Sequence, residues 1–280
     1  MERRRVLAAV GVTTAGVLAG CSDALGGEDG ADVDAFPFAE VDWRDGNGLD
    51  VETLAERHAN AAVEAGGVTL FSTAQTGHDG ETEPSPWLPS QTYESSYDLD
   101  NERQYLRQEL TESEETDRTE LYVADGEALV REQFGSEVRY DRQPVDWGPN
   151  VVEATMREDV LVGIRVPQGS GEADNGESVY EGLNNWEPTF EDADEVDGES
   201  SARFVADSFE GSRSVPQTVE SASAVVRVFE SGFVPHIQQS WAGPHGETTA
   251  SVDVDIEYRD RGAMVPEPEW AETARTETGG

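Results

Sequence analysis

The sequence predicts an α+β fold that is mostly β: one curved antiparallel sheet with helices on its concave face. Three observations predict it. Residues 50–67 carry apolar side chains at helical spacing, while from residue 68 onward the period changes to two. Hairpin signals then recur along the chain, with Asp125-Gly126 the strongest. Finally, the helix has one apolar stripe and each strand one apolar face, so helix and strands must meet across a single interface.

Asp50 can cap the helix, Val51, Leu54, His58, Ala61 and Ala65 fall on one face, and Gly66-Gly67 end it. Residues 68–76 form a strand. Residues 92–99 and 103–110 pair around Asp100-Asn101, residues 120–124 and 127–132 flank Asp125-Gly126, and residues 137–142 follow Gly135. Residues 151–166 fit either helix or strand, 168–177 read as a Gly/Glu/Ser loop, and 179–185 as a short helix. A strand over 201–209 follows Asp197-Gly198. Residues 222–229 and 233–239 form a hairpin about Ser231-Gly232. In 252–258, Val252, Val254, Ile256 and Tyr258 alternate with Asp253, Asp255 and Glu257, a strand with one wet face. The two strand-rich halves can stack as one sheet.

The N-terminus has the three parts of an export signal. Arg3, Arg4 and Arg5 are followed by an uncharged stretch, and Leu18-Ala19-Gly20-Cys21 closes it with small residues before a cysteine. This resembles a lipobox, which implies cleavage before Cys21 and a lipid on its thiol. Arg3-Arg4 followed by Val6-Leu7 also resembles a twin-arginine signal, although the general secretory route tolerates arginines too. The stretch is shorter than the about 20 apolar residues of a membrane span and is interrupted by Gly11 and Gly16. The expected organisation is a signal peptide over 1–20, a lipidated cysteine and flexible acidic tether over 21–49, one domain over 50–272 and a frayed tail over 273–280. The expected location is the extracytoplasmic face of the cell membrane.

Composition narrows the setting. There are 59 acids against 19 bases, a formal charge of −40, and every base is arginine. The first twenty residues hold Glu2 and three arginines, so their removal leaves 58 acids, 16 arginines and a charge of −42. Such a chain repels itself at low ionic strength, whereas at molar salt the Debye length falls to about 3 Å. This composition resembles proteins of halophilic archaea. Nucleic acid is excluded as a partner, since phosphate binding needs clustered bases. An anionic membrane would repel the domain, so residence there needs the covalent anchor. Cys21 is the only cysteine, so no disulfide staples the domain.

With the lipobox and N-terminal helix in place, the line Glu120-Leu121-Tyr122-Val123-Ala124-Asp125-Gly126 and a late strand pair leading to Pro268-Glu269-Trp270 resemble the LolA/LppX-type lipoprotein carriers. They resemble more closely haloarchaeal lipoproteins of unassigned function that share that architecture. The resemblance covers residues 50–272. It implies a half-open β-barrel with helices plugging its concave face and a cavity for acyl chains. It implies no catalytic residue.

Catalytic signatures are absent: there is no G-x-S-x-G, H-E-x-x-H, P-loop, G-x-G-x-x-G or C-x-x-C. His58 reads as a packed helix residue, and His78, His236 and His245 as surface residues rather than zinc ligands. The run from Asp192 to Gly198 has the wrong register for a calcium loop, because Val196 sits at its fifth position and glycine at the seventh. The acidic run from Glu28 to Asp34 reads as solvated too. Carboxylate pairs carry no specificity in so acidic a chain. Trp43, Trp87, Trp147, Trp186, Trp241 and Trp270 fit core or cavity-rim packing. No catalytic residue, metal or cofactor is therefore expected. The leading expectation is a non-enzymatic carrier or binding domain for an apolar or amphipathic, lipid-like ligand. A structural or protein-interaction lipoprotein with a filled core comes second and an envelope hydrolase third. A carrier needs a continuous apolar pocket of several hundred Å3.

Overall fold

The computed structural model describes residues 36–79, 89–112, 115–165, 182–210, 216, 218–262 and 264–279. The signal peptide with Arg3, Arg4, Leu18, Ala19 and Gly20, the lipidation site Cys21 and the loop over 168–177 lie outside them.

Helix α1 (Val51–Glu64) starts as the sequence dictates: the Asp50 carboxylate accepts the Thr53 amide at 3.0 Å and its hydroxyl at 2.8 Å. Its buried face is Leu54, Ala55, His58, Ala59 and Ala62, rotated from the stripe expected. The reason is steric, since the small alanines let the helix lie close to its neighbours. The chain then turns through Gly67, whose φ is 145° and whose Cβ, if added, would stand 2.0 Å from the Tyr97 carbonyl oxygen. Only glycine allows this approach.

Strands β3 (Thr69–His78), β4 (Ser90–Asp98), β5 (Arg103–Glu112), β6 (Glu115–Ala124), β7 (Glu127–Phe134) and β8 (Glu137–Pro144) form one meander. Strands β9 (Thr189–Val196), β10 (Glu199–Ala206), β11 (Ser221–Phe229), β12 (His236–His245) and β13 (Thr248–Arg259) form another. The pairing of β13 with β3, from Ala250 opposite His78 to Arg259 opposite Thr69, joins the two. With the two-residue strands β1 (Arg44–Asp45) and β2 (Gly48–Leu49) beside β9, thirteen strands make one antiparallel sheet. It is curved but not closed, because β1 and β8 stand at opposite ends.

Helix α2 (Pro149–Asp159) resolves the ambiguity of residues 151–166: Pro149 occupies its first turn, and Val152 and Met156 are buried. Together α1 and α2 cover the concave face of β3 and β9–β13. There Leu70, Val226, Ile237, Trp241, Val252, Val254, Ile256 and Tyr258 meet Leu54, Val152, Met156, Val160 and Ile164 in one apolar cluster. The alternation in 252–258 sends Asp253, Asp255 and Glu257 to the back, as expected.

Four segments differ from the sequence expectation. Residues 36–49, placed in the tether by their composition, are part of the core: Phe36 packs edge-on against Phe38 and Phe190, and Trp43 against Phe204. Residues 192–198, an acidic run read as a solvated loop, supply most of β9 and the turn after it, and the carboxylates lie on an exposed strand with Phe190 turned inward. Of the short helix expected over 179–185, residues 179–181 lie outside the described residues and the rest holds a 3-10 turn, Leu183–Asn185. Of residues 273–280, expected to fray, 273–278 belong to helix α3 (Ala271–Thr278), which buries Ala271 and Ala274 on the back of the sheet against Tyr122, Ala124 and Leu129.

Candidate functional site

The resemblance stated above implies a ligand on the concave face, and here that face has two parts. Under α1 and α2 it is filled by side chains: Leu54, Leu70, Met156, Ile164, Phe204, Phe233, Trp186 and Trp241 are each less than 2 % exposed. Surface hollows of about 500, 320 and 530 Å3 occur on the back of the sheet, in the groove between α1 and α2, and beside Trp43 and Arg57. None of these three opens between the helices and the sheet.

Beyond the helices the concave face continues over β5–β7. Leu106, Leu121 and Val130 stand directly opposite one another across these strands, are half-buried, and belong to neither apolar cluster. The next row on the same face is Gln108, Thr119 and Glu132, and the one after it brings Leu110 and the exposed Phe134 to either side of Asp117.

A polar cluster marks the border between the two parts. Asp159, at the end of α2, accepts the Tyr93 hydroxyl at 2.8 Å and the Tyr97 hydroxyl at 3.1 Å, and Gln104 donates to the Tyr97 oxygen at 2.8 Å. Burial pushes the Asp159 carboxyl above the usual carboxylate range, against the pull of the Ser95, Tyr93 and Tyr97 hydroxyls. Burial likewise pushes the Tyr97 phenol up. With its oxygens engaged by tyrosines, Asp159 fastens α2 to β4.

On the back of the sheet the structure joins two sequence features that reasoning had kept apart. Glu120, 6 % exposed, accepts the Tyr105 hydroxyl at 2.8 Å and the Trp270 indole N–H at 3.2 Å on one oxygen, and Arg131 on the other. Asp98 accepts the Val265 amide at 3.3 Å. The Glu120-Leu121-Tyr122 line and the Pro268-Glu269-Trp270 end are thus two halves of one fastening that holds the C-terminal segment to β4–β7.

The histidines are dispersed. His58 is buried on α1, its Nδ1 accepting the Val234 amide at 3.0 Å between the rings of Phe233 and Tyr258. His236 on the back meets Asp255 at 3.2 Å and Arg227 at 2.9 Å. Among the described residues no three His, Cys, Asp or Glu side chains come together to hold a metal ion. Trp43, Trp186 and Trp241 are core, and Trp270 anchors α3. Trp87 lies outside the described residues. The border cluster escaped sequence reasoning, although Tyr93, Ser95 and Tyr97 alternate on β4 and are a polar stripe on a face that should be apolar.

Three solved structures are similar in fold. The lipoprotein LppX of Mycobacterium tuberculosis is 11% identical, with 77% of this chain and 98% of that chain covered and a TM-score of 0.33. A DUF1329 family protein of Desulfovibrio piger is 8% identical over 79% of this chain and 95% of its own, with a TM-score of 0.27. A LolA superfamily protein of Nitrosomonas europaea is 11% identical over 77% and 94%, with a TM-score of 0.21. No curated protein matches the chain. Residues 6–274 match the model of DUF7537, a family of unknown function, and the chain belongs to that family.

Proposed function

We propose that the chain is an extracytoplasmic domain held on the cell membrane by a lipid on Cys21, and that it binds or carries an amphipathic, lipid-like ligand without catalysing a reaction. The observation that carries the ligand reading is the concave face of β5–β7, where the row Leu106–Leu121–Val130 lies outside both apolar clusters. Two strand spacings make this strip about 10 Å wide, and the four residues to Leu110 and Phe134 make it about 13 Å long. The interposed Gln108, Thr119 and Glu132 suit a ligand with polar groups rather than a hydrocarbon alone. Covering the strip would stabilise a complex by about 25 cal/mol per Å2 of apolar surface removed from water. The lipobox at Leu18-Ala19-Gly20-Cys21 supports the anchor, and the acidic composition supports a saline setting.

A second reading, a structural or protein-interaction lipoprotein, is favoured by one specific observation: the half of the concave face under α1 and α2 is filled. Mass spectrometry of lipid extracted from the full chain, purified from its native membrane, separates the two. The carrier reading expects one acyl-bearing species in stoichiometric amount, lost in Leu121→Asp and retained in Leu129→Met, whose side chain points to the back. If wild-type protein brings no such species and takes up no apolar dye, the structural reading replaces it.

A further inference from the structure

Among the described residues strand β8 ends the sheet, and every residue of it except Tyr140 is exposed. Beside it, Phe134 and Val138 are two of the large apolar side chains left in solvent, at 45% and 39% exposure. The orientation of the free edge can be read from one bond. The Val145 amide donates to the Gly126 carbonyl at 3.0 Å, on the β7 side. Backbone groups alternate along an antiparallel strand, so Glu137, Arg139 and Asp141 turn theirs to β7 while Val138, Tyr140 and Arg142 turn theirs outward. Pro144, which has no N–H to offer, falls at the next outward position and ends the free stretch.

An unpaired edge of this kind accepts another strand unless its charges forbid it. Those on β8 favour one partner, the same strand of a second copy, and the longest register that sets opposite charges against each other is the one centred on Tyr140. Centred on Tyr140, an antiparallel pair sets Tyr140 opposite Tyr140, Val138 opposite Arg142, and Arg139 opposite Asp141 twice. Centred on Arg139, it would oppose Arg139 to itself and Glu137 to Asp141. Centred on Asp141, it would oppose Asp141 to itself. Like charges directly opposite are unfavourable and opposite charges favourable. Within one chain Asp141 is held by Gln143 at 2.8 Å and by the Arg142 amide at 2.8 Å, neither of them a cation, while Arg139 meets Glu137 at 2.9 Å and lies over Phe134. Glu137, Arg139 and the facing Asp141 would extend that pair into a three-membered ladder on the concave side. On the back, the exposed Val138 would be covered by the stem of Arg142.

We propose that β8 is a dimerisation edge, two copies joining their sheets antiparallel about Tyr140. The outward groups of Val138, Tyr140 and Arg142 supply about six backbone hydrogen bonds to the joint. Sedimentation of the full chain in detergent at molar KCl, over a concentration series, should give the protein mass of two chains. Arg139→Asp should give one, and Arg139→Asp/Asp141→Arg should restore two. In a Cys21→Ser background, Tyr140→Cys should crosslink on oxidation, because hydrogen-bonded partners lie about 5.5 Å apart at Cα, within disulfide reach. Val138→Cys, whose partner is Arg142, should not. A chain monomeric at every concentration, or a dimer indifferent to Arg139→Asp, overturns the proposal. So does a Tyr140→Cys chain that stays uncrosslinked, whatever the charge swap does.

Discussion

His58 makes the fold sensitive to acid at one identifiable place. Burial lowers its imidazole from the ordinary 6.5 to about 3, opposed in part by the Val160 backbone. A base whose folded pKa is depressed contributes stability above its unfolded pKa and loses it as pH falls towards the folded value. Below pH 6.5 the unfolded chain takes up a proton that the folded chain refuses, at about 1.4 kcal/mol per pH unit. From about pH 7 to about pH 5 the linkage removes about 2 kcal/mol. The comparison is His58→Phe, which keeps a ring between Phe233 and Tyr258 but leaves the Val234 amide without its acceptor. That loss costs about 1–3 kcal/mol at every pH. Urea unfolding in molar KCl, followed by tryptophan fluorescence, should therefore show the variant less stable near pH 7 and the gap narrowing by about 2 kcal/mol near pH 5. Acid titration of the carboxylates affects both proteins and cancels in the difference. A gap that stays constant with pH would falsify the assignment of a buried neutral imidazole.

Three further outcomes are expected. Glu120→Ala leaves Arg131, Tyr105 and the Trp270 indole without their shared acceptor, so stability should fall by about 3–5 kcal/mol and trypsin should cut after Arg275 faster than in wild type; unchanged cleavage would show that α3 is held by its alanines and by the Arg275 pairs with Glu127 and Glu267 instead. Cys21→Ser should leave the protein in the medium or unprocessed, and continued membrane attachment in high salt would remove the lipid anchor from the reading. At −42, the mature chain should lose ellipticity when dialysed from molar KCl to about 0.1 M, where the Debye length grows to about 10 Å; equal stability at both ends would mean that the acids are balanced locally.

The sheet was legible because its signals are local. Val252 to Tyr258 alternates without a break, Asp125-Gly126 and Ser231-Gly232 take positive φ at glycine as hairpin turns do, and Asp50 caps α1. What escaped depends on partners far away in sequence. Strand β9 carries acids at four of its eight positions and is a strand because β10 pairs with it and Phe190 has Phe36 and Phe204 to meet. Helix α3 is short and polar, and its two alanines reveal nothing until Tyr122 and Leu129 present a surface. The Asp159 cluster was invisible for the same reason, since 66 residues separate its carboxylate from Tyr93. Composition and the N-terminal motif raise expectations of a setting and an anchor, but neither bears on a cavity, which is a property of packing alone.

The ten-residue seam between β13 and β3 sets an order of events for the whole molecule. The β3–β8 ladder can form from neighbours as the chain lengthens, but α1 cannot settle: His58 waits for the Val234 amide, 176 residues later, and for Tyr258 after that. Loop closure of this length is slow relative to local pairing. An unfinished chain would therefore hold the apolar stripe of α1 and the concave faces of its first strands open to water until almost the last residue is made. Under the export proposed above, transport of a finished globule would avoid that interval on the far side of the membrane, and transport of a thread would reproduce it there, in reach of every other thread. For a chain whose seam closes last, the proposed export makes the choice of route also a choice of where the chain would be vulnerable to aggregation.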